Sequence, residues 1–207
     1  MTDDALSPEA QVAIRGRAEL FRAYLGTAEF SSHIEEFEKR TEYFQRVLPS
    51  HVGVMGEKEL AAMLTPLWAY ERWPNKRVLA ERILSANTIE GLRREIAKLL
   101  DVSRPVAERY DSFVKNVKML GPAFVSEVLC YREPDKCGIW NGKAKEALET
   151  LGLQKYAGTG PQRPTGQDYE AFNGALKTVA KELSGMGLEV PDLYCVNLFL
   201  YTVEGGV

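Results

Sequence analysis

Asn141 stands between Trp140 and the helix-forming run GKAKEALETL, twenty positions after a Gly121-Pro122 corner. A Gly-Pro corner that opens an apolar helix leaves the first backbone N–H groups of that helix without intrahelical partners. Gly121 and Ala123 therefore mark an anion site suited to a phosphate, with Lys115 and Lys118 flanking it from the preceding segment. The helix PAFVSEVLCY, ten residues long, spans about 15 Å, and the return segment REPDKCGIW has the reach to bring Asn141 back beside the corner. An amide in that position can orient a water, but it has no charge with which to stabilise a cationic transition state. Asn is also among the best N-cap residues. Capping alone, or capping together with a role in a site, both fit Asn141.

Other side chains can surround a flat ligand next to these groups. Trp140 adjoins Asn141, and LWAYERWP concentrates Trp68, Tyr70 and Trp73. Aromatic residues at this density either fill a core or stack on a ring. Arg72, Lys76, Arg77 and Lys143 can face phosphate or simply water. Glu127 and Asp111 are the carboxylates closest in sequence to the corner and can supply the negative charge that Asn141 lacks. Asn197 is a polar residue inside the apolar run YCVNLFLY, expected to be buried and hydrogen-bonded or to line a pocket. Motifs of the types GxxxxGK[ST], HExxH, GxSxG and GxGxxG are absent, and His33 and His51 are isolated. No cofactor or metal is expected from this pattern.

The elements that position these residues read as helical nearly throughout. Ser7-Pro8 forms an N-terminal cap signal for SPEAQVAIRGRAELFRAYL. FSSHIEEFEKRTEYFQRVL carries an apolar stripe that Pro49 is expected to end. EKELAAMLTPLWAYERW reads as one helix up to Trp73, NKRVLAERILSAN as the next, and TIEGLRREIAKLLD opens with a capping pattern at Asn87, Thr88 and Glu90. QKYAGTGPQRPTGQ reads as a long surface loop. Asp168 is the expected cap of DYEAFNGALKTVAKELSGMG, and VPDLYCVNLFLYTV is a buried final helix, with a strand as the alternative. The fold class is all-α: about ten helices in one domain over residues 1–207, packed as one lobe or as two lobes, 1–103 and 104–207. The acidic, polar start MTDDALSPEAQ is not a secretory signal, and no apolar run is long enough for a membrane span. Three cysteines without a CxxC pair argue for a reduced, cytoplasmic protein. Charge is uneven, with eleven Lys/Arg against seven Asp/Glu over residues 71–118 and a net charge of −3 overall. A basic middle suits phosphate contacts, and solvated helix faces suit it equally.

The stretch from residue 104 to 153 resembles the helix–hairpin–helix DNA glycosylase superfamily. Leu120-Gly121-Pro122 sits on the hairpin, GIWN falls where the family carries its catalytic Asp segment, and ALETLGL matches the close of the following helix. The resemblance covers about a quarter of the chain. It implies a central helix–hairpin–helix, binding of double-stranded DNA, and excision of a damaged or modified base by a monomeric, nucleoid-associated protein. The chain departs from the pattern in three places. Met119 stands at the family's earlier hairpin Gly, the lysine used for Schiff-base chemistry is absent near Ala123, and Asn141 replaces the Asp. A glycosylase of this form is monofunctional, without lyase activity. The resemblance also leaves two alternatives: a non-catalytic module that reads modified bases, and a helical protein-interaction adaptor.

Overall fold

The computed structural model describes residues 6–158 and 164–205. They form eleven α-helical segments with no strand among the described residues, which gives the all-α class. Helix α1 (Pro8–Leu25) starts where the Ser7 hydroxyl accepts from the Ala10 amide, with Pro8 in its first turn. Its buried residues Ala10, Ile14, Ala18 and Phe21 recur at three- and four-residue spacing, the single stripe of an amphipathic helix. Helix α2 (Ala28–Glu42) does not stop at Pro49. A π-helical turn at Tyr43–Val47 shifts the hydrogen-bond register and restarts the chain as α3 (Leu48–His51), so that Pro49 falls in a first turn where its missing N–H costs nothing.

Helix α4 (Glu57–Leu64) ends nine residues before the expected Trp73. Pro66 cannot donate to the helical ladder and its ring crowds the preceding turn. The chain leaves as a 3₁₀ turn at Trp68–Tyr70. Helices α5 (Lys76–Ala86) and α6 (Ile89–Leu100) follow, capped by Asn75 and Thr88. Asn87 does not join the cap. It reaches across to the Lys118 backbone, accepting from its N–H at 2.9 Å and donating to its carbonyl at 3.1 Å. Helices α7 (Val106–Asn116), α8 (Pro122–Arg132), α9 (Gly142–Thr150), α10 (Gly166–Gly185) and α11 (Leu193–Val203) complete the order. Thr165, not Asp168, caps α10. Asp168 is the third residue of that helix and reaches back to the Thr165 N–H, making a reciprocal box. The expected loop contains a 3₁₀ turn at Gln154–Tyr156, and its residues 159–163 lie outside the described residues.

Every residue from Phe124 to Tyr131 of α8 is buried, the pattern of a helix enclosed on all sides. One contiguous apolar core runs from Ala10 to Val203. Helix α1 packs on α10 and α11, and α6 packs on α7, so a cut between residues 103 and 104 divides helices that pack together. The buried Arg109 ties three elements, donating to the Leu99 carbonyl at 3.1 Å and pairing with Glu133.

Between α8 and α9, after a turn in which the Lys136 and Cys137 N–H groups donate to the Glu133 carbonyl, residues 138–140 run buried through the core with side chains as their hydrogen-bond partners. The Gly138 N–H donates to Asn173 Oδ1 at 2.8 Å, and the Tyr169 hydroxyl donates to the Gly138 carbonyl at 2.7 Å. Asn197 takes both sides of Ile139, accepting from its N–H at 2.7 Å and donating to its carbonyl at 3.0 Å. The Trp140 N–H donates to Ser126 Oγ at 2.9 Å. A Cβ on Gly138 would lie 2.2 Å from Leu176 Cδ1 and 3.0 Å from Asn197 Oδ1. Leu176 is itself buried and has nowhere to swing. Gly138→Ala is expected to lower unfolding stability by about 1–3 kcal/mol through overpacking, read as a lower denaturant midpoint at unchanged slope.

Candidate functional site

The clamped segment ends at Asn141, whose Oδ1 accepts from the Ala144 N–H at 2.9 Å and so caps α9. Asn141 opens onto a cavity of about 580 Å³ lined by Ile139, Asn141, Lys143 and Glu146 on one side, and by His33, Trp68, Glu71, Arg72, Asn197 and Tyr201 on the others. This volume lies within the range of small-molecule pockets. His33 presents its ring to both neighbouring aromatics, 6.0 Å from Trp68 at 76° and 6.1 Å from Tyr201 at 87°. The Lys143 ammonium sits 4.2 Å from the centre of the Tyr201 ring, and the Arg40 guanidinium 5.0 Å from that of Trp68. A wall of three rings with flanking cations suits a planar, electron-rich ligand.

Trp68 owes its place to Glu127. One carboxylate oxygen accepts from the Trp68 N–H at 2.7 Å and the other from the Ala69 N–H at 2.9 Å, closing the start of the 3₁₀ turn. The Tyr131 hydroxyl also donates to this carboxylate, at 3.1 Å, and Arg40 donates to the Tyr131 oxygen at 3.1 Å. Burial pushes the Glu127 carboxyl up from its ordinary value, against the pull of those two amides, Tyr131 and Arg40.

Of the residues expected around a base, the structure puts Trp68 in the cavity wall; Asn141, expected at the chemistry, and Lys143, expected at a phosphate, line the same cavity. The other four sit elsewhere. Trp140 is 2% exposed, stacked on Phe172 at 5.3 Å, with its indole N–H donating to the Ala157 carbonyl at 3.2 Å. It is a core residue. Tyr70 leans on Phe124 and donates to the Met119 carbonyl at 3.3 Å. Trp73 packs against the core under Arg82. Glu127 is buried behind Trp68 and acts on the wall from outside the cavity. Among the cations considered, Arg72 lines the cavity, while Lys76 is held by the Tyr70 and Trp73 carbonyls and Arg77 by Glu57. Asp111 accepts from the Gly166 N–H at 2.7 Å. Asn197 does both things expected of it, lining the cavity and spending its amide on Ile139.

His33 and Tyr201 are the ring-bearing cavity residues that the sequence did not single out for the site. Their spacing to each other and to Trp68 exists only after folding, and a His on an exposed helical stretch gives no signal of its own. Glu71 and Glu146, both exposed, are the carboxylates in the lining.

The Gly121 corner joins α7 to α8 with Lys115 and Lys118 exposed and Gly121 and Ala123 half-buried at the α8 start. Ser126, in the second turn of α8, holds the Trp140 backbone, so Asn141 lies one residue from a direct contact with α8. Met119 has φ 68°, the left-handed conformation that favours glycine. Among the described residues no cluster of three or more His, Cys, Asp or Glu side chains can hold a metal ion, and no helix is long and apolar enough to cross a membrane. Cys130, Cys137 and Cys195 are buried and free, and burial pushes the Cys137 and Cys195 thiols up to about 12.

Comparison with protein-family models, with curated proteins and with solved structures finds no match to this chain.

Two variants probe this geometry. Met119 is 48% exposed and contributes little burial, while its left-handed backbone costs an L-residue about 1–2 kcal/mol. Met119→Gly is therefore expected to leave stability unchanged or raise it by up to about 1 kcal/mol in chemical denaturation, after the glycine's larger unfolded-state entropy is subtracted. Glu127→Gln leaves one of the two amides without an acceptor and is expected to cost about 1–3 kcal/mol. The folded Glu127 carboxyl holds its proton more tightly than the unfolded one. Its contribution is therefore full below the ordinary carboxyl range and is lost as pH rises through the raised folded value. Melting temperatures of the two proteins should accordingly converge as pH rises through that window.

Proposed function

We propose that the protein binds double-stranded DNA, takes an extruded damaged or modified base into the cavity beside Asn141, and hydrolyses its N-glycosidic bond without a lysine intermediate. The observation that carries this reading is the cavity itself: about 580 Å³, walled by Trp68, His33 and Tyr201 and opening at the start of α9 beside Asn141. An extruded base needs stacking surfaces and a polar edge, and a site that acts on its sugar bond must sit next to them. Met119, left-handed at the position of the family's hairpin Gly, and the exposed Lys115 and Lys118 support contact of the α7–α8 corner with a phosphate. Lys143 and Arg72 provide further positive charge at the cavity.

In this reading Asn141 Oδ1, one lone pair of which takes the Ala144 N–H, uses the other to hold a water for attack on the sugar carbon. Glu71 or Glu146, not Glu127 or Asp111, supplies negative charge toward the developing oxocarbenium ion, because they line the cavity while the other two carboxylates are committed elsewhere. The second reading, a module that binds modified bases without cutting them, is favoured by one observation. The lining amides Asn141 and Asn197 are half-buried and neutral, while both lining carboxylates are exposed to solvent, where a charge stabilises a cation least.

Duplexes carrying uracil, oxidised, alkylated, hydroxymethylated or glucosylated bases, incubated with the protein and then treated with hot alkali, test the proposal. Alkali-dependent strand breaks on one substrate are the expected result. Tight, salt-sensitive binding with no breaks anywhere would support the reader, and breaks without alkali would contradict the missing lysine. Asn141→Ala should lower release by about 10²–10³ with DNA affinity retained, at a capping cost of about 1 kcal/mol. Asn141→Asp keeps the cap and an oxygen for the water and should retain release, with weaker binding of the base because the amide's donor is lost; equal release by Asn141→Ala would remove Asn141 from the chemistry.

A further inference from the structure

Hydrogen-bond accounting in the cavity gives a ligand edge. We infer that the cavity selects a planar ring whose edge offers hydrogen-bond acceptors, and that Tyr24 enforces this by holding His33 as its Nε2–H tautomer. The inference rests on the cavity being a base site and adds to it the kind of base.

Tyr24 is 1% exposed, packed against Phe21 and Phe30. Its hydroxyl meets His33 Nδ1. Burial drives the phenol's ionisation upward, so the oxygen keeps its hydrogen. Among the described residues that hydrogen has His33 Nδ1 as its one acceptor. If Nδ1 carried a proton on a neutral ring, the Tyr24 hydrogen would be stranded in the core, a loss that the opposite tautomer avoids. Tyr24 therefore donates, Nδ1 accepts, and the imidazole proton goes to Nε2. The Tyr194 hydroxyl fixes the His33 backbone from the other side, donating to its carbonyl at 3.3 Å.

The remaining polar groups of the lining point the same way. Asn197 spends both ends of its amide on Ile139. Asn141 has Oδ1 on the Ala144 N–H and keeps its NH₂ group. Lys143 and Arg72 are donors by nature. Acceptors in the lining are the exposed carboxylates Glu71 and Glu146, the Tyr201 hydroxyl, which also donates, and the second lone pairs of the Asn141 and Asn197 amide oxygens, the first of which is given to the water. A pyrimidine-2,4-dione puts acceptors, O2 and O4, at both ends of its edge to meet these donors and leaves its N3–H for the Tyr201 hydroxyl or a lining carboxylate. A 4-amino ring carries a donor where the dione has O4 and leaves a lining donor unpaired there.

The test uses the full chain and two duplexes that differ in one unpaired base, uracil or cytosine, with dissociation constants measured by anisotropy. Long-range ¹H–¹⁵N correlation of the imidazole nitrogens reports the His33 tautomer. Expected are a single Nε2–H form and binding of the uracil duplex about tenfold tighter than the cytosine duplex. In Tyr24→Phe, which preserves ring packing, the tautomers should mix and the preference should fall toward unity. His33→Asn, whose carbonyl can take the Tyr24 hydrogen while its NH₂ still donates, should keep the preference, and His33→Phe should lose it. An Nδ1–H form, or a preference untouched by Tyr24→Phe and His33→Phe, overturns the inference. Equal affinity for both duplexes above that of a fully paired control also overturns it while leaving the base site standing. No preference for either unpaired base over the paired control overturns both.

Discussion

Two adjacent polar side chains on an otherwise apolar helix hold the two sides of the cavity. Ser126 and Glu127 are both buried in α8, among Phe124, Val125, Val128 and Leu129. Ser126 takes the Trp140 N–H and so fixes the segment that delivers Asn141 to the start of α9. Glu127 takes the Trp68 and Ala69 N–H groups and so fixes the ring on the opposing wall. A buried hydroxyl and a buried carboxylate are expensive unless every lone pair finds a donor. The backbone stretches they hold are expensive for the complementary reason, since neither has helical partners. Each cost offsets the other, and the separation of the walls becomes a property of one helix.

The clamp on residues 138–140 adds a global condition. Its partners come from α8 (Ser126), α10 (Tyr169 and Asn173) and α11 (Asn197), and an unmade buried hydrogen bond costs about 1–3 kcal/mol. No local piece of the chain holds all four, so the cavity cannot form before those three helices have packed. The Gly138 position, with no room for a Cβ, records how closely α10 and α11 close over the segment. Arg109, on α7, joins Leu99 of α6 to Glu133 at the C-terminal cap of α8 and so braces the far end of the same helix.

Local rules explain what the sequence revealed. Apolar periodicity and cap residues located α1, α6, α9 and α11, and Ser7 and Asn141 cap where their side chains predict. The misses have different causes. The early end of α4 was legible at Pro66, whereas the π turn at Tyr43–Val47 that carries the chain past Pro49, and the Trp68 turn held by Glu127, depend on what the backbone meets after packing. Trp140 reads as a pocket residue because it adjoins Asn141, but consecutive residues at a helix entry point in different directions, and its ring turns into the Phe172–Tyr169 stack. Conversely, His33 and Tyr201 are 168 positions apart and meet only in the fold. Asn197 was legible because a lone amide in an apolar run needs partners inside the protein.

Asn and Asp cap helices about equally, and a carboxylate at the start of α9 would gain about 0.3–1 kcal/mol from the helix dipole. The fold therefore accepts either residue at 141, and the difference between them is felt on the cavity side. Glu71 and Glu146 already bring negative charge to that lining. A third carboxylate would repel both and would place an acceptor where His33, Lys143 and Arg72 present donors. The amide keeps the cap through Oδ1 and contributes its NH₂ group to the same donor set. The neutral side chain at 141 is thus consistent with a lining that binds by donating hydrogen bonds, with negative charge confined to its exposed rim.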